Sequence, residues 1–230
     1  MNDLVSSSAT IGLVISVIGY EIGTLLKRRF KLAIFNPLLV SIVLVIAVLL
    51  LFRIDFKSYN SSAKYLSYLL TPATVSLAIP LYEQLELLKK HKLAILGGVV
   101  AGVLTNLCTV LVLSLLFHLN HEEYVTILPK SITTAIGIGV SDELGGCVAI
   151  TVAAILVTGV LGNVLAEIIC KVFRITDPVA KGISIGTASH ALGTAKAIEI
   201  GEIEGAMSSL SIVVAGICTL IGASVFANFL

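Results

Sequence analysis

Apolar runs long enough to fill a bilayer alternate along this chain with short clusters of charge. One crossing takes about 20 consecutive apolar residues. Leu4–Tyr20 is uncharged; Glu21 follows, and Lys27, Arg28, Arg29 and Lys31 close the segment. Leu32–Phe52 is an uncharged second span. Arg53–Lys64 predicts a polar link, and Tyr65–Tyr82 a third apolar segment broken by Pro72 and Pro80. Lys89, Lys90, His91 and Lys92 predict a polar turn before Leu93–Phe117, a clean fourth span. A loop is expected at His118–Glu123. Tyr124–Val140 is apolar except for Lys130 and ends in a break at Ser141–Gly146. Cys147–Ile169 is a long span with one acid, Glu167. Asp177-Pro178 predicts a helix start with proline at the first helical position. Gly186–Gly201 is too short and too interrupted for an ordinary span, and Gly205–Leu230 is an uncharged last one.

The pattern predicts an all-α, polytopic transmembrane protein of about seven or eight membrane segments, some broken or re-entrant. It forms a single transmembrane domain over residues 1–230. The basic clusters Lys27–Lys31, Lys89–Lys92 and Lys171–Lys181 orient it by the excess of Lys and Arg in cytoplasmic loops. The first two share a side with the N-terminus outside. The third joins them only if Tyr124–Gly146 enters and leaves through one face. Against this stands the Arg53–Lys64 loop, which then lies outside with three basic residues. Val99-Val-Ala-Gly102 matches Val213-Val-Ala-Gly216 and lays the segment after Thr71 over the stretch after Ile185. This suggests an inverted repeat with halves 1–120 and 121–230, an arrangement that in transporters places substrate at broken helices.

Composition narrows the class. With 57% hydrophobic and 13% charged residues, against about a quarter charged in soluble domains, the chain lacks the polar surface to face water all round. A net charge of +1 excludes a nucleic-acid binder driven by bulk charge. Cys108, Cys147, Cys170 and Cys218 stand singly in apolar runs, as small buried hydrophobes rather than disulfides or a zinc site. The first apolar segment has no basic region before it and reads as a retained helix.

Three stretches offer chemistry. Gly186–Gly201 carries Thr187, Ser189, His190, Thr194 and Lys196 among small residues. If helical throughout, it sets Thr187, His190 and Thr194 on one face. Hydroxyls, a helix break and a cation are what a desolvated anion needs, and His190 can carry a coupled proton. The plainer alternative has the small residues packing helices, His190 bonding a carbonyl, and Lys196 snorkelling or pairing with Glu199. Pro129–Thr134 places Thr133 and Thr134 beside irregular backbone, where they can coordinate a carboxylate or cation, or bond back to their own helix. Thr71, Thr74 and the two prolines make the third stretch. Glu167 and Lys171 form a four-residue pair at a helix end. Serine-hydrolase elbows, zinc-protease helices and phosphate-binding loops are missing from the sequence, which does not read as an enzyme.

The runs Pro129-Lys-Ser-Ile-Thr-Thr, Glu143-Leu-Gly-Gly146, Ala180-Lys-Gly182 and Gly186-Thr-Ala-Ser-His-Ala-Leu-Gly-Thr-Ala-Lys-Ala197 resemble the LrgB/CidB family of bacterial membrane proteins, as does Pro72–Tyr82. The resemblance covers essentially the whole chain and implies a multi-pass protein of the bacterial plasma membrane. It implies two activities. One is an antiholin- or holin-like regulator of murein hydrolase activity and cell lysis, beside a small LrgA/CidA-type membrane partner. The other is transport of small monocarboxylates such as pyruvate, glycolate or glycerate. The resemblance assigns no binding residues; the polar stretches themselves offer Ser189, His190, Thr194, Lys196, Thr133, Thr134, Thr187 and Thr74 as substrate-binding residues for the transport reading. That reading expects a homodimer, no cofactor beyond a possible coupling proton or cation, and no metal.

Overall fold

The computed structural model describes residues 10–30, 35–69, 72, 75, 78–83 and 85–230. They are helical, in two compact units divided after Ser76. Thr71 and Thr74 lie outside the described residues.

The first unit holds α1 (Ile11–Phe30), α2 (Pro37–Leu51) and α3 (Phe56–Tyr68). Gly12, Gly19 and Gly23 are the buried residues of α1 and let the partner helices approach closely, as small residues do between membrane helices. A methyl group on Gly23 would lie 2.7 Å from Pro37 Cα. Gly12 N–H donates to Ser62 Oγ at 3.0 Å. The link expected at Arg53–Lys64 is therefore mostly helix: α3 packs on α1 through its small polar residues, which hydropathy alone discounts.

The second unit begins with α4 (Ala78–Glu83) and α5 (Leu85–Leu116). The polar turn expected at Lys89–Lys92 is a kink inside α5: at His91 the backbone leaves helical geometry (φ −107°, ψ 16°) and joins two helical stretches. Two short helices follow, α6 (His121–Ile127) and α7 (Thr134–Glu143), then α8 (Val148–Val172), α9 (Pro178–Ile200), α10 (Glu202–Phe226) and a 3₁₀ turn at Ala227–Phe229. Three helices here are long and apolar enough to cross a membrane: Lys89–Leu116, Val148–Val172 and Glu202–Phe229. Their outward side chains are apolar, with Val112 61%, Val157 58% and Ile221 64% exposed. A soluble protein does not cover itself this way, so these faces fit hydrocarbon.

The remaining helices form two hairpins. In the first, α6 runs in, the chain turns at Pro129–Thr133, and α7 runs back. The chain leaving α7 passes the end of α6, where Cys147 N–H donates to Thr126 Oγ1 at 2.7 Å, and α7 is tied to α8 by the Ser141 and Thr151 hydroxyls at 2.6 Å. The break expected at Ser141–Gly146 is the exit, with Gly145 at φ +81°. Gly146 N–H reaches Ser141 O and Gly145 N–H reaches Asp142 O, the paired bonds that satisfy the last carbonyls of a helix.

The second hairpin is α9 itself. Asp177 caps its start, accepting from Ala180 N–H at 2.9 Å, with Pro178 at the first position. At His190 the backbone leaves the helix (φ 44°, ψ −140°). Twelve residues of straight helix would separate Ile185 from Ala197 by about 18 Å, yet both pack in one cluster with Ala166 and Cys170. A Cβ on Gly193 would lie 3.0 Å from Ile185 O. The arm Pro178–Ser189 therefore goes in, and the arm Ala191–Ile200 returns beside it.

The two hairpins enter from opposite ends of the unit. One end gathers His91, Asp177, Pro178 and the Lys181–Glu204 pair; we call it the proximal face. The other gathers the C-terminus of α5, the feet of the first hairpin and the end of α10, where Tyr124 Oη donates to Phe226 O at 3.0 Å; this is the distal face. The first hairpin enters distally and α8 then runs to the proximal face. The second enters proximally and α10 then runs to the distal face. Both feet of the first hairpin lie on one face, the condition that brings Lys89–Lys92 and Lys171–Lys181 to the same end.

Candidate functional site

The tips of the two hairpins come together at the middle of the unit. Ile155 of α8 takes part on both sides: its side chain fills the space in front of Gly137 of the first hairpin, and its carbonyl is 3.1 Å from His190 Nε2 of the second. Between the tips, α5 and α8 lies a cavity of about 1040 Å³. Lys130 and Ser131 line it from the first tip, Thr187 and Ser189 from the second, and Asn106 from α5. It continues along the ingoing arm of α9 to His91 and Asp177. From Asn106 to His91 is fifteen residues of helix, about 22 Å, so the cavity joins the tips to the proximal face.

Lys130 is the cation of this site. Its ammonium donates to Asn106 Oδ1 at 2.5 Å and to Ser131 Oγ at 3.3 Å, and Ser131 Oγ donates to the same Asn106 oxygen at 3.1 Å. Among the described residues no carboxylate lies within ion-pair distance of Lys130. An ammonium at membrane depth costs several kcal/mol unless paired or hydrated. Thr187 adds a second unusual feature: its hydroxyl is buried with no hydrogen-bond partner among the described residues. Most helical threonines at such depth bond back to a carbonyl four residues earlier, as Thr194 does to His190 O at 3.0 Å. A buried hydroxyl left unbonded costs about 1–3 kcal/mol.

Close packing of the second tip depends on two residues of α8. A Cβ on Gly162 would overlap Ser189 Oγ, so only glycine admits the tip there. Asn163 Nδ2 donates to Leu192 O at 2.5 Å, securing a carbonyl just past the elbow. Backbone with φ near +44° and ψ near −140° lies where side chains are rarely accommodated. Such strain persists when surrounding contacts over-determine it, and His190 is 4% exposed with its ring held by Ile155 O.

The residues expected at a site fall into distinct places. Ser189 and Thr187 face the cavity. His190 is the elbow, with its ring bonded to a carbonyl. Thr194 is buried behind the elbow, 2.7 Å from Ser208 Oγ of α10. Because the helix breaks at His190, Thr187, His190 and Thr194 do not share one continuous helical face. Thr133 caps α7 without a side-chain hydrogen bond, and Thr134 is its first residue; neither lines the cavity. Lys196 sits on the returning arm, paired with Glu167 at 2.6 Å and Glu199 at 3.1 Å. Thr74 lies outside the described residues. Asn106, Lys130 and Ser131 complete the cavity wall without having been singled out as binding residues. Lys130 had left a signal, as the one charge within Tyr124–Val140. Among the described residues no cluster of His, Cys, Asp and Glu suits a metal ion.

The LrgB-like family profile matches residues 16–229. The chain belongs to the LrgB-like family. Curated relatives named "Antiholin-like protein LrgB" come from Bacillus cereus (strain B4264) and Bacillus anthracis (strain CDC 684 / NRRL 3495). This LrgB-like chain is 39% identical to each over 220 residues, covering 95% of its own length and 96% of theirs. No solved structure matches it.

Proposed function

We propose that this LrgB-like chain is an antiholin-like membrane protein whose molecular activity is to carry small monocarboxylates. The observation that carries the reading is the Lys130 ammonium, unopposed by a carboxylate among the described residues, where two opposed hairpin tips meet in a cavity. A carboxylate supplies the missing countercharge, with Asn106 and Ser131 beside it and the second tip, at Thr187 and Ser189, across from it. Opposed broken helices around a midplane site are the architecture by which secondary transporters alternate access. In this conformation the site communicates with the proximal face. That face bears Lys89, Lys90, Lys92, Lys171, Arg174 and Lys181. Basic loops lie in the cytoplasm, so the cavity opens inward from a multi-pass position in the plasma membrane.

The relatives' printed name favours a second reading, in which the chain modulates lysis beside a small membrane partner and binds no substrate. Labelled pyruvate or glycolate uptake into proteoliposomes separates the two. The transport reading expects saturable uptake above empty vesicles, with Lys130→Met weakening apparent affinity roughly 10- to 100-fold, the worth of one charge-assisted hydrogen bond of about 1.5–3 kcal/mol. Uptake equal to that of empty vesicles overturns it and leaves the regulator.

A further inference from the structure

A second cavity, of about 730 Å³, lies at the proximal end between the last turns of α8, the α8–α9 loop and the end of the returning arm. Lys171, Arg174 and Lys181 line it with Glu167 and Glu199. The loop geometry that sets Arg174 there is specific. Arg174 takes a left-handed backbone (φ 54°) as the stop of α8; its N–H donates to Lys171 O at 3.2 Å and Ile175 N–H to Cys170 O at 2.8 Å. Ile175 then packs inward against the Ala166–Cys170 cluster, which leaves Arg174 exposed at the rim.

Charge around this cavity does not cancel. Lys196, directly behind it, holds Glu167 and Glu199, and Lys181 stands 3.8 Å from Glu204. Lys171 reaches Glu167 only at 3.8 Å with its side chain 80% exposed. Four cations therefore meet three carboxylates, and Arg174 has no carboxylate within ion-pair distance among the described residues. Asp177 caps α9 and lines the other cavity. Among the lining residues three cations face two carboxylates, and Arg174 is the one without an ion-pair partner among the described residues.

We infer that this cavity binds the phosphate headgroup of an anionic membrane lipid. A phosphodiester carries one negative charge and accepts from guanidinium and ammonium donors. Basic pockets between helices at a cytoplasmic membrane surface suit such headgroups. The site does not depend on what the central cavity carries. It ties the foot of the second hairpin to the bilayer.

The test counts lipids retained by the purified protein in native mass spectrometry, offered phosphatidylglycerol or phosphatidylcholine. The wild-type chain retains one phosphatidylglycerol in at least tenfold preference. Arg174→Gln loses most of that preference, Arg174→Lys keeps part of it, and Lys89→Gln/Lys90→Gln, removing more charge from the same face, leaves it intact. Helix content by circular dichroism checks that each variant is folded. Equal retention of both lipids, or loss in the Lys89/Lys90 variant equal to that in Arg174→Gln, overturns the site. Complete competition by inorganic phosphate at equal concentration overturns the lipid and leaves a free-anion site.

Discussion

Residue 190 offers a sign test of the elbow. In an uninterrupted helix glycine is less stable than alanine by about 1 kcal/mol. At φ 44° and ψ −140° the order reverses, because a Cβ in that region costs about 1–3 kcal/mol that glycine does not incur. His190→Ala keeps the strain and loses the ring's bond to Ile155 O, worth about 0.5–1.5 kcal/mol, together with the packing of a buried ring. His190→Gly loses the same bond and packing but relieves the strain. The Gly and Ala variants share those losses, so their difference isolates the backbone. His190→Gly should be the more stable by about 1–3 kcal/mol, a factor of roughly 5 to 150 in the folded-to-unfolded ratio. Unfolding in mixed micelles, followed by circular dichroism, measures it. If His190→Ala is the more stable by about 1 kcal/mol, residue 190 is helical and the second hairpin does not exist.

Other expectations follow from named contacts. Gly162→Ala forces Ser189 off α8 and should destabilise by about 1–3 kcal/mol; Gly162→Ala/Ser189→Gly, which removes the overlapping Cβ as well as the hydroxyl, should recover part of that loss in the same unfolding assay. Thr187→Val removes a hydroxyl with no partner among the described residues, so stability should hold or rise slightly while pyruvate affinity in the uptake assay falls several-fold; unchanged affinity would remove Thr187 from the site. Glu167→Gln leaves Lys196 with Glu199 and should lower stability by no more than about 1 kcal/mol, since the Glu167 side chain is 45% exposed.

Hydropathy made most of the spans legible. Leu93–Phe117, Cys147–Ile169 and Gly205–Leu230 match α5, α8 and α10 to within a few residues outside the polar ends, because hydrocarbon-facing helices are selected on every outward position. Asp177-Pro178 marked the start of α9 for a local reason, a cap followed by a residue with fixed φ. The stretch Gly186–Gly201 was recognisable as interrupted, and it is the tip and return of a hairpin. Its reversal was not readable, since His190 carries none of the usual turn signals and is held there by Ile155, Gly159 and Asn163 of another helix.

The site was half legible for a related reason. Thr187 and Ser189 stood out as hydroxyls in a small-residue stretch, and both line the cavity. Lys196 drew equal notice by its charge, but only the fold shows that the returning arm turns it toward Glu167. Lys130 and Asn106, separated by 24 positions, meet because α5 passes the tip of the first hairpin. A long-range partner of that kind leaves no local pattern.

The central claim is that one carboxylate sits between two hairpin tips. Ser131→Cys and Thr187→Cys, each placed in a chain whose four native cysteines are replaced by alanine, report on the two tips separately. The rate of modification by a water-soluble thiol reagent is measured with and without saturating pyruvate or glycolate. The carboxylate should slow modification at both positions with the same half-protecting concentration, and Lys130→Met should raise that concentration at both together. Protection at one position alone, or at neither, contradicts a shared site.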